Sequence, residues 1–188
     1  MTDAAFLSDR GNVFDEYFKE QGYVCNQIGP HAFGSPFCQP CKLLIIPSGF
    51  ADPKYYKVLP ALDRNVEKIR EFIENGGVLL VFGAMLTDYT YDWLPMNLSY
   101  HMHFKNKNVR LVKPDSPAAL LKEPGMLDCD GYFTESDGDI VMELEDGKPV
   151  VVEKSIGKGY VIASALHEYP DRRFLDWACG KDRVTRTI

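Results

Sequence analysis

The chain has no apolar run long enough to cross a bilayer, no excess of basic residues, and no opening segment in which basic residues precede an apolar stretch. The first absence excludes a membrane-spanning helix. Against 21 Lys and Arg stand 27 Asp and Glu, a net charge of -6, so there is no electrostatic footprint for nucleic acid. Without a secretory signal pattern, a cytoplasmic location is expected. The cysteines number five, an odd count without an export signal, and read as reduced thiols rather than a disulfide framework. There are no internal repeats and no low-complexity tracts. What is left is 188 residues of ordinary globular composition. A domain of that size buries roughly 70% of its unfolded surface and needs no staple. The expectation is one domain over residues 1–180 followed by a loose polar tail over 181–188.

"AAFLS" at 4–8 reads as a short strand, and "NVFDEYFKEQG" after it as a helix with Val13, Phe14, Tyr17 and Phe18 on one face. "YVCNQI" is a second strand, residues 29–41 are a Pro- and Gly-punctuated loop, and "KLLIIP" is a strand covered on both faces. From Leu59 to Asn75 the apolar residues Leu62, Val66, Ile69, Phe72 and Ile73 form one helical stripe, closed by Gly76-Gly77 before the buried strand "VLLVFG". This alternation predicts a mostly parallel sheet with helices on both faces. Ligands of such sheets bind at the carboxyl ends of the strands, which places Asp9, Ser48 and Ala84 near one crevice. The aromatic segment "TDYTYDWLPMNL" at 87–98 is expected as an ordered loop or cap over it. "VRLV", "IVMEL", "PVVVEKS" and "YVIASALH" then read as strands, with hairpin turns at Asp146-Gly147 and Gly157-Lys158-Gly159, before a terminal helix.

Three stretches, "LLIIPSGF", "IREFIENGGVLLVFGAM" and "GKGYVIASALHEYP", resemble the oxyanion loop, the helix-strand-elbow and the closing strand of the class I glutamine amidotransferase-like superfamily. The resemblance covers nearly the whole chain. It implies an α/β, flavodoxin-like three-layer sandwich with a mostly parallel central sheet and, here, a C-terminal antiparallel hairpin extension. The superfamily elbow reads Gly-X-Cys-X-Gly, and here the corresponding residues are Gly83-Ala84-Met85-Leu86-Thr87, with no thiol. The closing strand matches at His167, but the carboxylate that follows, Glu168, comes one place earlier than in the family's His-Pro-Glu. "DGYF" at 130–133 together with "GKPVVVEKSIGKGYVIASA" also resembles members without the triad, proteins of the ThuA type and the trimerisation domain of some β-galactosidases.

With no nucleophile at the elbow, the leading expectation is a non-catalytic domain that binds a small molecule or a protein partner in a crevice formed by Ser48, Gly49, Phe50, Gly83, Ala84, Met85 and His167. If the chain is an enzyme, His167 with Asp9 or Glu168 supplies acid and base. The rival reading is a structural domain that assembles as a homo-oligomer. No cofactor is implied. For a metal, Cys38-Gln-Pro-Cys41 has the spacing of half a zinc site, with Cys25, His31, His101 and His103 as further candidates. A redox role for the cysteine pair fails because a strand, not a helix, follows it. Tyr55, Tyr56, Tyr89, Tyr91, Trp93 and Tyr100 bring aromatic rings toward the crevice.

Overall fold

The computed structural model describes residues 2–188. In chain order the elements are β1 (Ala4–Leu7), α1 (Asp15–Glu20), β2 (Cys25–Ile28), β3 (Leu43–Ile46), α2 (Leu59–Arg64), α3 (Val66–Glu74), β4 (Val78–Phe82), β5 (Asp88–Thr90), β6 (Leu98–Leu111), a 3-10 turn at Pro117–Leu120, β7 (Gly125–Ser136), β8 (Asp139–Leu144), β9 (Pro149–Ile156), β10 (Gly159–Ser164) and α4 (Arg172–Ala178). The apolar runs at 43–46 and 78–82 are buried at every position, as strands covered on both faces must be.

All ten strands belong to one sheet, ordered β2-β1-β3-β4-β10-β9-β8-β6-β5, with β7 on β6. The first five are parallel neighbours. From β10 onward every pairing is antiparallel. The expectation of a mostly parallel sheet is therefore corrected: the fold is mixed α/β, and antiparallel pairings predominate. The cause is local. Tight turns at Gly147 and Gly157, both at positive φ, reverse the chain onto its neighbour, and such turns can join only antiparallel strands.

The helix expected over 59–75 is two helices. Asn65 divides them because its side-chain amide donates to Ala61 O (2.8 Å), the carbonyl that its own N–H would otherwise take, and its backbone leaves helical values at φ -120°. The polar tail is not loose either. Cys41 and Arg186 exchange backbone hydrogen bonds of 2.9 and 2.7 Å, the Arg183 guanidinium lies 4.1 Å from the Trp177 ring centroid, and Ile188 is buried.

Candidate functional site

Beyond β10 the chain runs on through Ala165–His167 and pairs with β7. Asp130 N–H donates to Ala165 O (2.9 Å), His167 N–H donates to Asp128 O (2.8 Å), and Cys129 faces Leu166 in an antiparallel bridge. Strands β10, β9, β8, β6 and β7 thus close on themselves. Closure satisfies a stretch of strand edge that would otherwise be open. It also carries Asp130 to the carboxyl ends of the parallel strands.

There Asp130 is wholly buried. Ser48 Oγ, just past β3, donates to its Oδ2 (2.7 Å), and Tyr100 Oη on β6 reaches both its Oδ1 (3.1 Å) and its backbone carbonyl (2.8 Å). The His167 imidazole, with Nδ1 4.0 Å from Oδ2, is the only basic group within that distance among the described residues. Burial pushes the Asp130 carboxyl up to about 6, against the opposing pull of the Ser48 and Tyr100 hydrogen bonds and of His167. Burial likewise drives the Tyr100 hydroxyl far above its usual range, reinforced by the charge of Asp130.

Two glycines allow this approach. Gly83, at the end of β4, leaves the space that the Asp130 carboxylate fills. Gly49 takes φ +78° and donates its N–H to Gly83 O (2.8 Å), which ties the ends of β3 and β4 together beneath Ser48.

In front of Ser48 and His167 opens a cleft of about 470 Å3. Phe6, Phe14, Tyr56, Phe82 and Tyr169 wall it with rings, and Ser48, His167 and Glu168 supply its polar side chains. Tyr169 stacks on Tyr17 with centroids 4.9 Å apart and meets Phe14 edge-on at 5.2 Å. Among the described residues no Lys or Arg lines the cleft.

The structure brings together only some of the residues singled out in the sequence. Ser48 and His167 face the cleft, and Glu168 lies at its rim. The Glu168 carboxylate pairs with Lys122 Nζ (3.3 Å) and accepts the Asp128 N–H (3.4 Å), so it does not orient His167. Asp9 turns away: its carboxylate accepts the Lys57 N–H (3.0 Å) outside the cleft. Phe50 is buried among Tyr89, Tyr91 and Trp93. Ala84 is buried too and lies outside the cleft lining. The strand-turn-helix elbow does not form, since β4 is followed by β5 and not by a helix; the strained residue between them is Met85, at φ 55° the one non-glycine residue with positive φ among those described. Tyr91 and Trp93 are core rather than cap: both are about 1% exposed, and the Tyr91 hydroxyl donates to Phe82 O (3.3 Å). His101 and His103 both pack against the Tyr132 ring, with centroids 5.3 and 6.5 Å from it, and His101 Nδ1 lies 2.8 Å from Asp88 Oδ1. Cys38 and Cys41 are free and buried, and among the described residues no group of three His, Cys, Asp or Glu side chains is placed to hold a metal ion.

Asp130 and Tyr100 are the site residues that sequence reasoning missed as such. The "DGYF" stretch marks Asp130 only by likeness, since nothing in strand periodicity distinguishes a buried functional aspartate from a solvated one.

No family profile matches the chain, and no curated protein is similar to it. Solved structures are. A β-galactosidase from the Antarctic haloarchaeon Halorubrum lacusprofundi superposes with a TM-score of 0.60 at 13% identity, over 98% of this chain and 31% of that one. A ThuA-like protein from Bacteroides uniformis gives 0.52 at 13% identity over 95% and 89%. A cytoplasmic protein from Salmonella typhimurium gives 0.55 at 13% identity over 94% and 94%. The likeness is one of fold. This chain spans about a third of the β-galactosidase but nearly all of the other two. No helix among the described residues is long and apolar enough to cross a membrane.

Proposed function

We propose that the chain is a ThuA-like domain of the amidotransferase-like superfamily, with a flavodoxin-like parallel half, whose cleft binds a small carbohydrate-class ligand on which Asp130 and His167 move a proton. The observation that carries this reading is Asp130. A buried carboxyl with no Lys or Arg partner destabilises a fold, and one tuned to about 6 beside an imidazole at the mouth of an open cleft is suited to proton transfer near neutral pH. The ring-walled cleft without cationic side chains supports a neutral, partly apolar ligand such as a sugar, whose C–H faces stack on aromatic rings while its hydroxyls meet Ser48 and His167. Amidotransferase chemistry at the elbow is not part of the proposal, because Met85 offers no nucleophile.

The test is a titration of the isotope-labelled protein with a panel of neutral mono- and disaccharides, read by NMR. Saturable shifts at Tyr56, His167 and Tyr169 that weaken in Asp130→Asn support the proposal. If no sugar in the panel moves those resonances, the carbohydrate reading is wrong.

A second reading, assembly into a homo-oligomer, draws support from Phe104 and Met126, large apolar side chains left 54% and 63% exposed on β6 and β7. Light scattering that shows only monomer at high protein concentration would remove it.

A further inference from the structure

We propose that Ser48 is a nucleophile activated directly by Asp130, and that the cleft cleaves carboxylic esters of neutral hydroxylated compounds. The inference rests on the reading above for the cleft as a small-ligand site and adds a covalent step to it.

Three independent features prepare the Ser48 hydroxyl. It lies in the cleft lining at the carboxyl end of β3, where a substrate can reach it. Its proton already points at a carboxylate oxygen 2.7 Å away. That carboxylate is held against rotation, because the Tyr100 hydroxyl reaches its other oxygen at 3.1 Å and the space beside it, at Gly83, is open only because that residue has no side chain. The usual place for a nucleophile in such a fold, the segment after β4, is shut: Ala84 is buried and lies outside the cleft lining. A Ser–Asp contact adds little to stability when it keeps a carboxylate out of water, so its presence at the cleft wall needs a chemical reason. The lining also limits the substrate. Glu168 at the rim is already paired with Lys122, and no Lys or Arg among the described residues lines the cleft, so a negative charge on the ester would find no partner there and is disfavoured.

In the first half-reaction Ser48 Oγ bonds to the ester carbonyl carbon as its proton passes to Asp130 Oδ2. The tetrahedral oxyanion collapses, the bond to the alcohol oxygen breaks, and the alkoxide takes the proton from Asp130. Water then attacks the acyl-serine and gives its proton to Asp130, and collapse releases the acid while the proton returns to Ser48. The sum is ester plus water to acid plus alcohol, with no other reactant. His167, more than half exposed at the cleft face, is placed to donate an N–H to the reacting oxygens.

A fluorophosphonate probe tests the step, since a nucleophilic serine displaces its fluoride and keeps the phosphonyl group. The full chain is expected to be modified at Ser48, read by peptide mass spectrometry. Modification should vanish in Ser48→Ala and slow by about 100-fold or more in Asp130→Asn, the loss typical of a missing general base. The Asn variant keeps the shape of the site, and its cooperative unfolding is checked alongside. An unmodified Ser48 in the wild-type chain, or wild-type labelling rates in Asp130→Asn, overturns the proposal. Saturable sugar binding by a protein whose Ser48 stays unmodified would remove the nucleophile and leave the binding site standing.

Discussion

Asp130 occupies the volume that a side chain at Gly83 would need: a Cβ built there lies 2.3 Å from Asp130 Oδ1. The two residues come from distant strands, β4 and β7, which do not pair with each other, so their fit is a product of the closed antiparallel half.

Gly83→Ala should therefore push the carboxylate off Ser48. Asp130 cannot yield freely, because Tyr100 holds both its carboxylate and its backbone carbonyl. Overpacking of this kind costs about 1–3 kcal/mol. Urea unfolding of Gly83→Ala in the wild-type and Asp130→Ala backgrounds forms a double-mutant cycle. The cost should shrink when the carboxylate is absent. An equal cost in both backgrounds would place the clash elsewhere.

Asp130→Asn should stabilise the protein at neutral pH. The folded-state value of about 6 lies above the ordinary 3.8, so the folded state holds this proton more tightly than the unfolded state. Below pH 4 both states are protonated and the group exerts no penalty. As pH rises from about 4 to 6 the unfolded chain releases the proton first and stability falls. Above 6 the full penalty is present, on the order of 3 kcal/mol from a difference of about two pH units. Asparagine avoids that penalty, at a cost of about 1 kcal/mol if one hydrogen bond is weakened. Denaturant titrations should show the variant gaining on the wild type between pH 4 and pH 7. Parallel pH curves for the two proteins would mean that Asp130 titrates normally.

Loss of the Tyr100 hydroxyl acts on the same carboxyl in the opposite sense. Tyr100→Phe removes a donor that favours the charged form, so the Asp130 value should rise above about 6 and the buried carbonyl of Asp130 should lose its side-chain donor. A stability loss of about 1–2 kcal/mol is expected from unfolding curves near pH 7. NMR titration of the Asp130 carboxyl carbon gives the direction of the shift, and a downward movement would contradict the assignment of Tyr100 as its donor.

Much of the parallel half was legible in the sequence because it is built from local signals. "LLII" and "VLLVF" are apolar without alternation, and the 59–75 stripe has helical period; only its break at Asn65, which depends on a side chain returning to Ala61 O, was hidden. The aromatic segment misled for the opposite reason. Tyr and Trp with no clear period suit a cap as well as a core, and what decides is the packing of Tyr91 and Trp93 on Phe50, some 40 residues away along the chain. The candidate site was half legible. Ser48 and His167 end predicted strands, so strand order alone brings them to the crevice. Asp130 arrives through the pairing of β7 with Ala165–His167, a contact between distant segments that no local pattern announces.

The C-terminal residues should act as a cover over thiols. Read from composition they are polar, but Arg186 pairs with Cys41 through two backbone hydrogen bonds, and the Ile188 side chain is buried in the core. All five thiols are buried, and burial pushes Cys25 and Cys129 up to about 12 and Cys41 well above its ordinary value, so the native protein should be inert to a disulfide reagent at pH 8. Deleting residues 181–188 removes the buried Ile188 side chain, worth about 1.5–3 kcal/mol, together with the Arg183 contact to Trp177, worth about 0.5–1 kcal/mol. At about 2–4 °C per kcal/mol for a chain of this length, the melting temperature should fall by roughly 4–16 °C. Cys38 and Cys41 should then react within minutes while Cys129, which lies in β7 away from the tail, stays protected. Uniform reactivity of all five thiols in the shortened chain would instead mean that the deletion unfolds the whole domain.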